Sequence, residues 1–260
     1  MVRGLERFKT HFRGFEEFFV VIGGTACDLW LQGRGLGFRR TRDIDLVLIA
    51  EHLTPGFAAR FREFVTAGGY LHVARPSGRR IYYRFTKPTG ADFPEMIELF
   101  SRRPSRLALV PRTGLARLVV AGAVASLSAI LMDDAYYELV LQHRTEEQGL
   151  PGVNPGALIP LKAFAWLDLR RRKAAGERVD EDDLRKHRND VFRLVLSLAG
   201  TDRFLVPSTV QAHLREFLDA LPPDCREWDG IRSALQPTFR GQVVPDQLLR
   251  ALATAFGLQP

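Results

Sequence analysis

One run of residues narrows the possible folds more than any other. In Asp43-Ile44-Asp45-Leu46-Val47-Leu48-Ile49 both acids come first and everything behind them is aliphatic. A β-branched and aliphatic stretch of this density reads as a buried strand. Residues i and i+2 of a strand point to the same side, so the carboxylates of Asp43 and Asp45 stand side by side at the head of an apolar ribbon. Like charges so placed repel, and taking them out of water is costly unless something compensates. A divalent cation is one economical partner: Mg²⁺ takes hard oxygen ligands, commonly one or two carboxylates together with substrate phosphates. Two solvated acids at a strand end would give the same D-x-D pattern.

The residues upstream favour the cation. Phe19 to Ile22 is a short β-type run that stops at Gly23-Gly24, and Thr25 to Leu31 reads as helix. A glycine turn that opens a helix offers backbone N–H groups and the positive end of the helix dipole to an anion. Thr25 is expected to add a hydroxyl donor there. An anion cradle followed by D-x-D makes a site for a metal triphosphate. Glu98, the lone acid in Met-Ile-Glu-Leu-Phe, is the candidate third carboxylate on a neighbouring strand; an edge-strand surface glutamate is its plainer reading. Asp92 and Glu95 fall in the preceding turn.

Along the chain, Glu6 to Phe19 is expected to be helical, with Phe8, Phe12, Phe15 and Phe19 near helical spacing, and Phe57 to Ala67 likewise. Tyr70 to Ala74, Arg80 to Thr86, Met96 to Phe100 and Leu115 to Ala121 read as strands. Beyond them the pattern is helical: a helix capped by Ser126 and running to about His143, then Leu158 to Lys173, Glu181 to Ala199, Thr209 to Ala220 and Pro245 to Phe256. The expected fold class is therefore α+β. A mixed sheet flanked by helices occupies residues 1–113, and a mainly helical domain that completes the active site occupies 114–260.

Charge and composition bound the partners. The 260 residues carry a net charge of +7, which points to a polyanion such as a nucleotide or RNA. Arg34, Arg39, Arg40 and Arg42 crowd the loop before the carboxylates, and Arg40 and Arg42 bracket Thr41 where they can contact a triphosphate or an RNA backbone. Tyr82, Tyr83 and Arg84 offer a base-stacking surface, although sheet packing explains them as well. Arg170, Arg171, Arg172 and Lys173 read as a solvated helix end. The two cysteines, Cys27 and Cys225, form no zinc or disulfide pattern and read as buried thiols. The N-terminus lacks the apolar core of a signal peptide, and the apolar stretch from Leu118 to Met132 is short for a membrane span. The expectation is a cytoplasmic protein with no membrane partner.

Lys162 is the only charged residue between Leu158 and Leu167, in a helix apolar nearly all round; a buried ammonium needs an anion, whereas a lysine that snorkels out of a core helix needs none. Asp183, Lys186, His187 and Asp190 recur at i, i+3, i+4 and i+7, forming one polar stripe on the next helix, which a solvated face would explain as well.

Taken together, V-I-G-G-T-A followed by R-R-T-R-D-I-D-L-V-L resembles the nucleotidyltransferase superfamily. More narrowly it resembles the AbiEii/AbiGii-type toxins of toxin–antitoxin systems. L-S-A-I-L-M-D-D-A-Y-Y, L-I-P-L-K-A-F-A-W-L-D-L and D-L-R-K-H-R-N-D-V-F-R-L extend the likeness over roughly residues 20 to 200. Two departures stand out: Thr25 where the superfamily often has Ser, and a long gap from Gly24 to Asp43 that contains the Gly33–Gly37 loop. The resemblance implies a Mg²⁺-dependent enzyme, with a two-ion site, that transfers a nucleoside monophosphate from an NTP to a hydroxyl acceptor. It implies that the acceptor is RNA, at the tRNA 3′ end, and that a cognate antitoxin accompanies the toxin. Asp43, Asp45 and Glu98 would hold metal, and Glu98 would complete that site or take the hydroxyl proton. Gly23, Gly24 and Thr25 would cradle phosphate with Arg40 and Arg42. Lys162 would bind the triphosphate, and Asp190, with Lys186 near it, would be the late acid of the site, holding Lys162 or reaching the metal. Two rivals remain. One is a nucleotidyltransferase acting on a small molecule of aminoglycoside type, against which the Arg-rich loop speaks. The other is a catalytically silent RNA- or partner-binding module.

Overall fold

A computed structural model describes residues 2–74, 80–102, 115–120, 123–237, 239 and 241–258; within these, residues 72–74, 80–83, 115–120 and 123–131 are described by backbone course alone. The chain is mixed α/β and divides into two compact units, residues 1–28 with 39–153 and residues 29–38 with 154–260. The division expected at 113/114 falls later because the sheet does not end there. Strands β6 (Leu115–Val120) and β7 (Ala123–Leu131) pair with each other, and β7 joins β5 (Met96–Ser101) through Phe100–Ile130 and Ser101–Leu131.

The first unit is built on a mixed sheet that has seven strands among the described residues. Its central path runs β1 (Phe19–Ile22), β2 (Asp43–Leu48), β5, β4 (Arg80–Thr86) and β3 (Leu71–Ala74). The β1–β2, β5–β4 and β4–β3 pairs are antiparallel, and β2–β5 is parallel. One face is covered by aromatic residues. Ile44, Ile97 and Phe85 are cross-strand neighbours and all are buried. Phe61 of helix α3 (Pro55–Ala67) packs on Phe85 with ring centres 5.3 Å apart, while Phe8 of α1 (Leu5–His11) packs edge-on against Phe64 at 5.6 Å. Aromatic burial of this extent is the main force holding α1 and α3 on the sheet.

Helix α1 stops at His11, short of the expected Phe19. Gly14 adopts φ +84°, a 3₁₀ turn covers Glu16–Phe18, and Phe19 begins β1. The phenylalanine spacing that suggested one helix serves a helix, a turn and a strand that all bury the same cluster. The helix expected from Ser126 also starts later. Residues 123–131 are strand β7, and α4 (Asp134–Gln142) begins after Asp133, whose carboxylate caps it by accepting from the Ala135 N–H at 2.9 Å. The hairpin β8 (Arg144–Glu147) and β9 (Leu150–Val153) was not anticipated either.

Past the C-terminal ends of β2 and β5, four side chains close a polar network. Arg102 donates to Glu51 and, at 2.6 Å, to Glu138, while the Tyr137 hydroxyl donates to Glu51 at 2.8 Å and accepts from the Ala50 N–H at 3.0 Å. Burial and donation to Glu51 push the Tyr137 phenol up. Burial raises Glu51, but the hydrogen bonds from Tyr137 and Arg102 outweigh it and leave the carboxyl below its ordinary range.

The second unit is helical. Helix α5 (Pro155–Ala174) is capped by Asn154, whose side chain accepts from the Gly156 N–H at 2.8 Å, and α6 (Glu181–Val195) is capped by Asp180. Helix α5 packs on α6 and on α7 (Ser208–Asp219), and α6 packs on α8 (Glu227–Leu235) and α9 (Pro245–Ala255). Trp166, Phe192, Phe217 and Trp228 knit these helices together. No helix among the described residues is long and apolar enough to cross a membrane.

Candidate active site

On the sheet face opposite Ile44, one cross-strand row reads Ile22, Asp45, Glu98, Arg84 across β1, β2, β5 and β4. Asp43, two residues before Asp45, lies on the same face beside Met96. Three acids thus share one face of adjacent parallel strands. Behind them the same face turns apolar at Val47 and Val20, both fully buried.

The junction of β1 with α2 (Gly23–Gln32) is fitted around Asp45. Gly23 has φ +69°, and a Cβ there would lie 1.9 Å from Asp45 Oδ2. Only glycine permits both this backbone and this approach. A Cβ on Gly24 would meet Thr41 Oγ1 at 2.6 Å and lie 3.7 Å from an Arg39 guanidinium nitrogen. Thr41 and Arg39 therefore lie over the first turn of α2, where helical N–H groups lack intrahelical partners. The Thr25 hydroxyl, expected to donate to phosphate, is fully buried and donates instead to the Asp43 carbonyl. It fixes the start of β2 relative to α2.

Glu98 has 12% of its side chain exposed and is ion-paired with Arg84, which is 45% exposed. Among the described residues, no three His, Cys, Asp or Glu side chains are gathered so as to hold one metal ion. The expected ligand trio is present as an aligned row and not as a closed cluster, and the carboxylate of Glu98 is bound by the guanidinium beside it. The residues nonetheless suit Mg²⁺. Asp43 and Asp45 supply paired hard oxygens, and such an ion is commonly held by one or two carboxylates plus substrate phosphate.

The other expected residues are distributed as follows. Arg40 is exposed. Arg42 pairs with Glu95 at 3.5 Å, and Arg39 is the arginine whose guanidinium reaches Gly24. The side chains of Tyr82 and Tyr83 lie outside the described residues; Arg84 binds Glu98. In the second unit, Lys162 on α5 is buried and its ammonium lies 3.1 Å from Asp190 on α6. The anion required by that buried cation is thus Asp190, which is fully buried and also accepts from Arg193 at 2.9 Å. Arg193 was overlooked, although it sits three residues after Asp190 on the same helix face. Lys186 is exposed and pairs with Asp183 at 3.1 Å, so the polar stripe of α6 runs from solvent into the interior. The basic run at the end of α5 is matched by acids: Arg171 with Glu216, Arg172 with Glu177, and Lys173 with Glu181. Cys27 is buried; Cys225 is partly exposed, with its thiol pushed up by burial and by a hydrogen bond with Glu227.

No family model matches this chain, and no curated protein matches it either.

Proposed function

We propose that this chain is a metal-dependent nucleotidyltransferase that moves a nucleoside monophosphate from an NTP to a hydroxyl of RNA. The observation that carries the reading is the row of Asp45 and Glu98 on adjacent parallel strands, with Asp43 on the same face and Asp45 pressed against Gly23. In this reading the acceptor oxygen attacks the α-phosphorus, the bond to pyrophosphate breaks, and the hydroxyl proton passes to a carboxylate of the row. Asp43 and Asp45 would hold Mg²⁺, with Glu98 as third ligand. The bound ions would supply positive charge to the attacking oxygen and to the departing pyrophosphate. The backbone of Gly23 and Gly24, overlain by Arg39 and Thr41, would receive the triphosphate, with Arg40 at its edge. Thr25 acts indirectly, by holding Asp43 in place. A nucleotidyltransferase-like sheet arrangement, two-ion chemistry, a tRNA 3′ acceptor and a toxin role with an antitoxin partner rest on the motif resemblance. So do phosphate-binding roles for Lys162 and Lys186 and a catalytic role for Asp190.

A second reading, a catalytically silent binding module, draws support from the Glu98–Arg84 pair, which satisfies a carboxylate without any metal. Incubating the protein with each α-labelled NTP, Mg²⁺ and total RNA separates the two. Label in RNA, concentrated in the tRNA fraction, is the expected result. RNA bound without label incorporated would favour the silent module.

A further inference from the structure

The row that carries Asp45 and Glu98 ends, one strand further on, at a cation. Arg84 faces Glu98 across the antiparallel β4–β5 ladder, and its Nε donates to Glu98 Oε1. The two halves of the pair differ in freedom: the carboxylate is shielded, while the guanidinium is close to half exposed. Directly opposed side chains on one sheet face have Cβ atoms about 5 Å apart, so Arg84 reaches Glu98 with no change in the backbone. Lone pairs given to guanidinium N–H groups are not available to a metal ion, and the two cations compete for the same oxygens. The pair also compensates one of three like charges that share this face.

We propose, on the nucleotidyltransferase reading of this site, that Arg84 is a positioning residue that sets divalent-cation affinity by competing for Glu98. It holds the carboxylate while the cation is absent and yields it when the cation arrives. Its exposed side chain lets the exchange occur by rotation of one arginine, with the sheet unchanged.

Mn²⁺ is a suitable probe, titrated into the nucleotide-free full chain and followed by the electron paramagnetic resonance signal of the free ion. Arg84→Met is expected to bind Mn²⁺ about fivefold tighter than the parent, the factor that a partly exposed ion pair can oppose. Arg84→Gln should behave alike, and Arg84→Lys should fall between. The tightening must vanish in a Glu98→Gln background, because competition then has no object; thermal melts of each variant report whether the fold is kept. Unchanged or weaker binding by Arg84→Met and Arg84→Gln overturns the proposal. Equal tightening with and without Glu98 overturns it too, since that would be a general loss of positive charge. Should Mn²⁺ bind the parent in an Asp45-dependent manner yet ignore Arg84, this inference alone falls. Should the parent bind no Mn²⁺, or Asp45→Asn bind it equally, the active-site reading falls and takes the inference with it.

Discussion

At position 23 the chain has no alternative to glycine: φ is +69° and the Asp45 carboxylate occupies the space of a side chain. Gly23→Ala is expected to cost about 1–3 kcal/mol by denaturant titration, the range for a non-glycine residue forced into such a backbone. It should also reduce nucleotide incorporation, because Asp45 must move. A stable Gly23→Ala variant with parental activity would contradict this. Thr25 makes a second, separable case. Thr25→Val removes a hydroxyl that donates to the Asp43 carbonyl from a fully buried site, for a loss of about 1–3 kcal/mol, whereas Thr25→Ser keeps the hydroxyl and should lose less. Equal melting points for the two variants would deny the hydroxyl its anchoring role. Of this residue-scale detail, the sequence disclosed that Gly23-Gly24 end a strand and open a helix and that Asp43 and Asp45 share a face. It could not disclose that the glycine accommodates an aspartate, nor that Thr25 is turned inward. Both depend on the β1–β2 register, a contact between segments some twenty residues apart.

Among the elements, α5 and α6 are joined by the most demanding polar contact of the second unit. Asp190 is fully buried and serves two cations, Lys162 and Arg193, while Arg193 also donates to the Ala234 carbonyl at 3.0 Å. Asp190→Ala leaves both cations buried without that carboxylate, and urea unfolding is expected to register a loss of about 3–5 kcal/mol. Lys162→Met should cost less, because Arg193 still pairs with Asp190; a larger loss for Lys162→Met than for Asp190→Ala would reverse the assignment. This pairing was partly legible: an isolated lysine in an apolar helix demanded an anion, and the polar stripe of α6 offered one. Elements were read least well where one pattern fits two structures. The phenylalanines of residues 8 to 19 satisfy a helical period yet end in a strand. Residues 123–131 are small and apolar enough for either state, and pairing with β5 decides for a strand.

For the molecule as a whole, the network of Glu51, Arg102, Tyr137 and Glu138 makes the first unit sensitive to acid. The Glu51 carboxyl lies below its ordinary value when folded. Its contribution is therefore fully present above the unfolded pKa and is lost as pH falls through the lower, folded one. Stability should decline in the acid range below the ordinary glutamate pKa, and Glu51→Gln should flatten that part of the profile. With Glu51 42% exposed, solvent screening keeps the effect small, a fraction of about 1 kcal/mol. Identical acid profiles for parent and variant would exclude the network as the cause. At this scale the mixed α/β character and the succession from sheet to helices were legible, because hydrophobic period changes along the chain. The extent of the first unit was not, since β6 and β7 join the sheet through long-range pairing.

The account depends on Asp43 and Asp45 acting together at one end of β2, and the most direct measurement is the rate of labelled nucleotide transfer to RNA by Asp45→Asn against the parent, at matched Mg²⁺ and with the fold verified by melting. Removing one of the paired charges while keeping its shape should slow transfer by about a hundredfold or more, as expected when several kcal/mol of transition-state stabilisation are lost. An Asp45→Asn protein that transfers nucleotide at the parental rate would contradict the account.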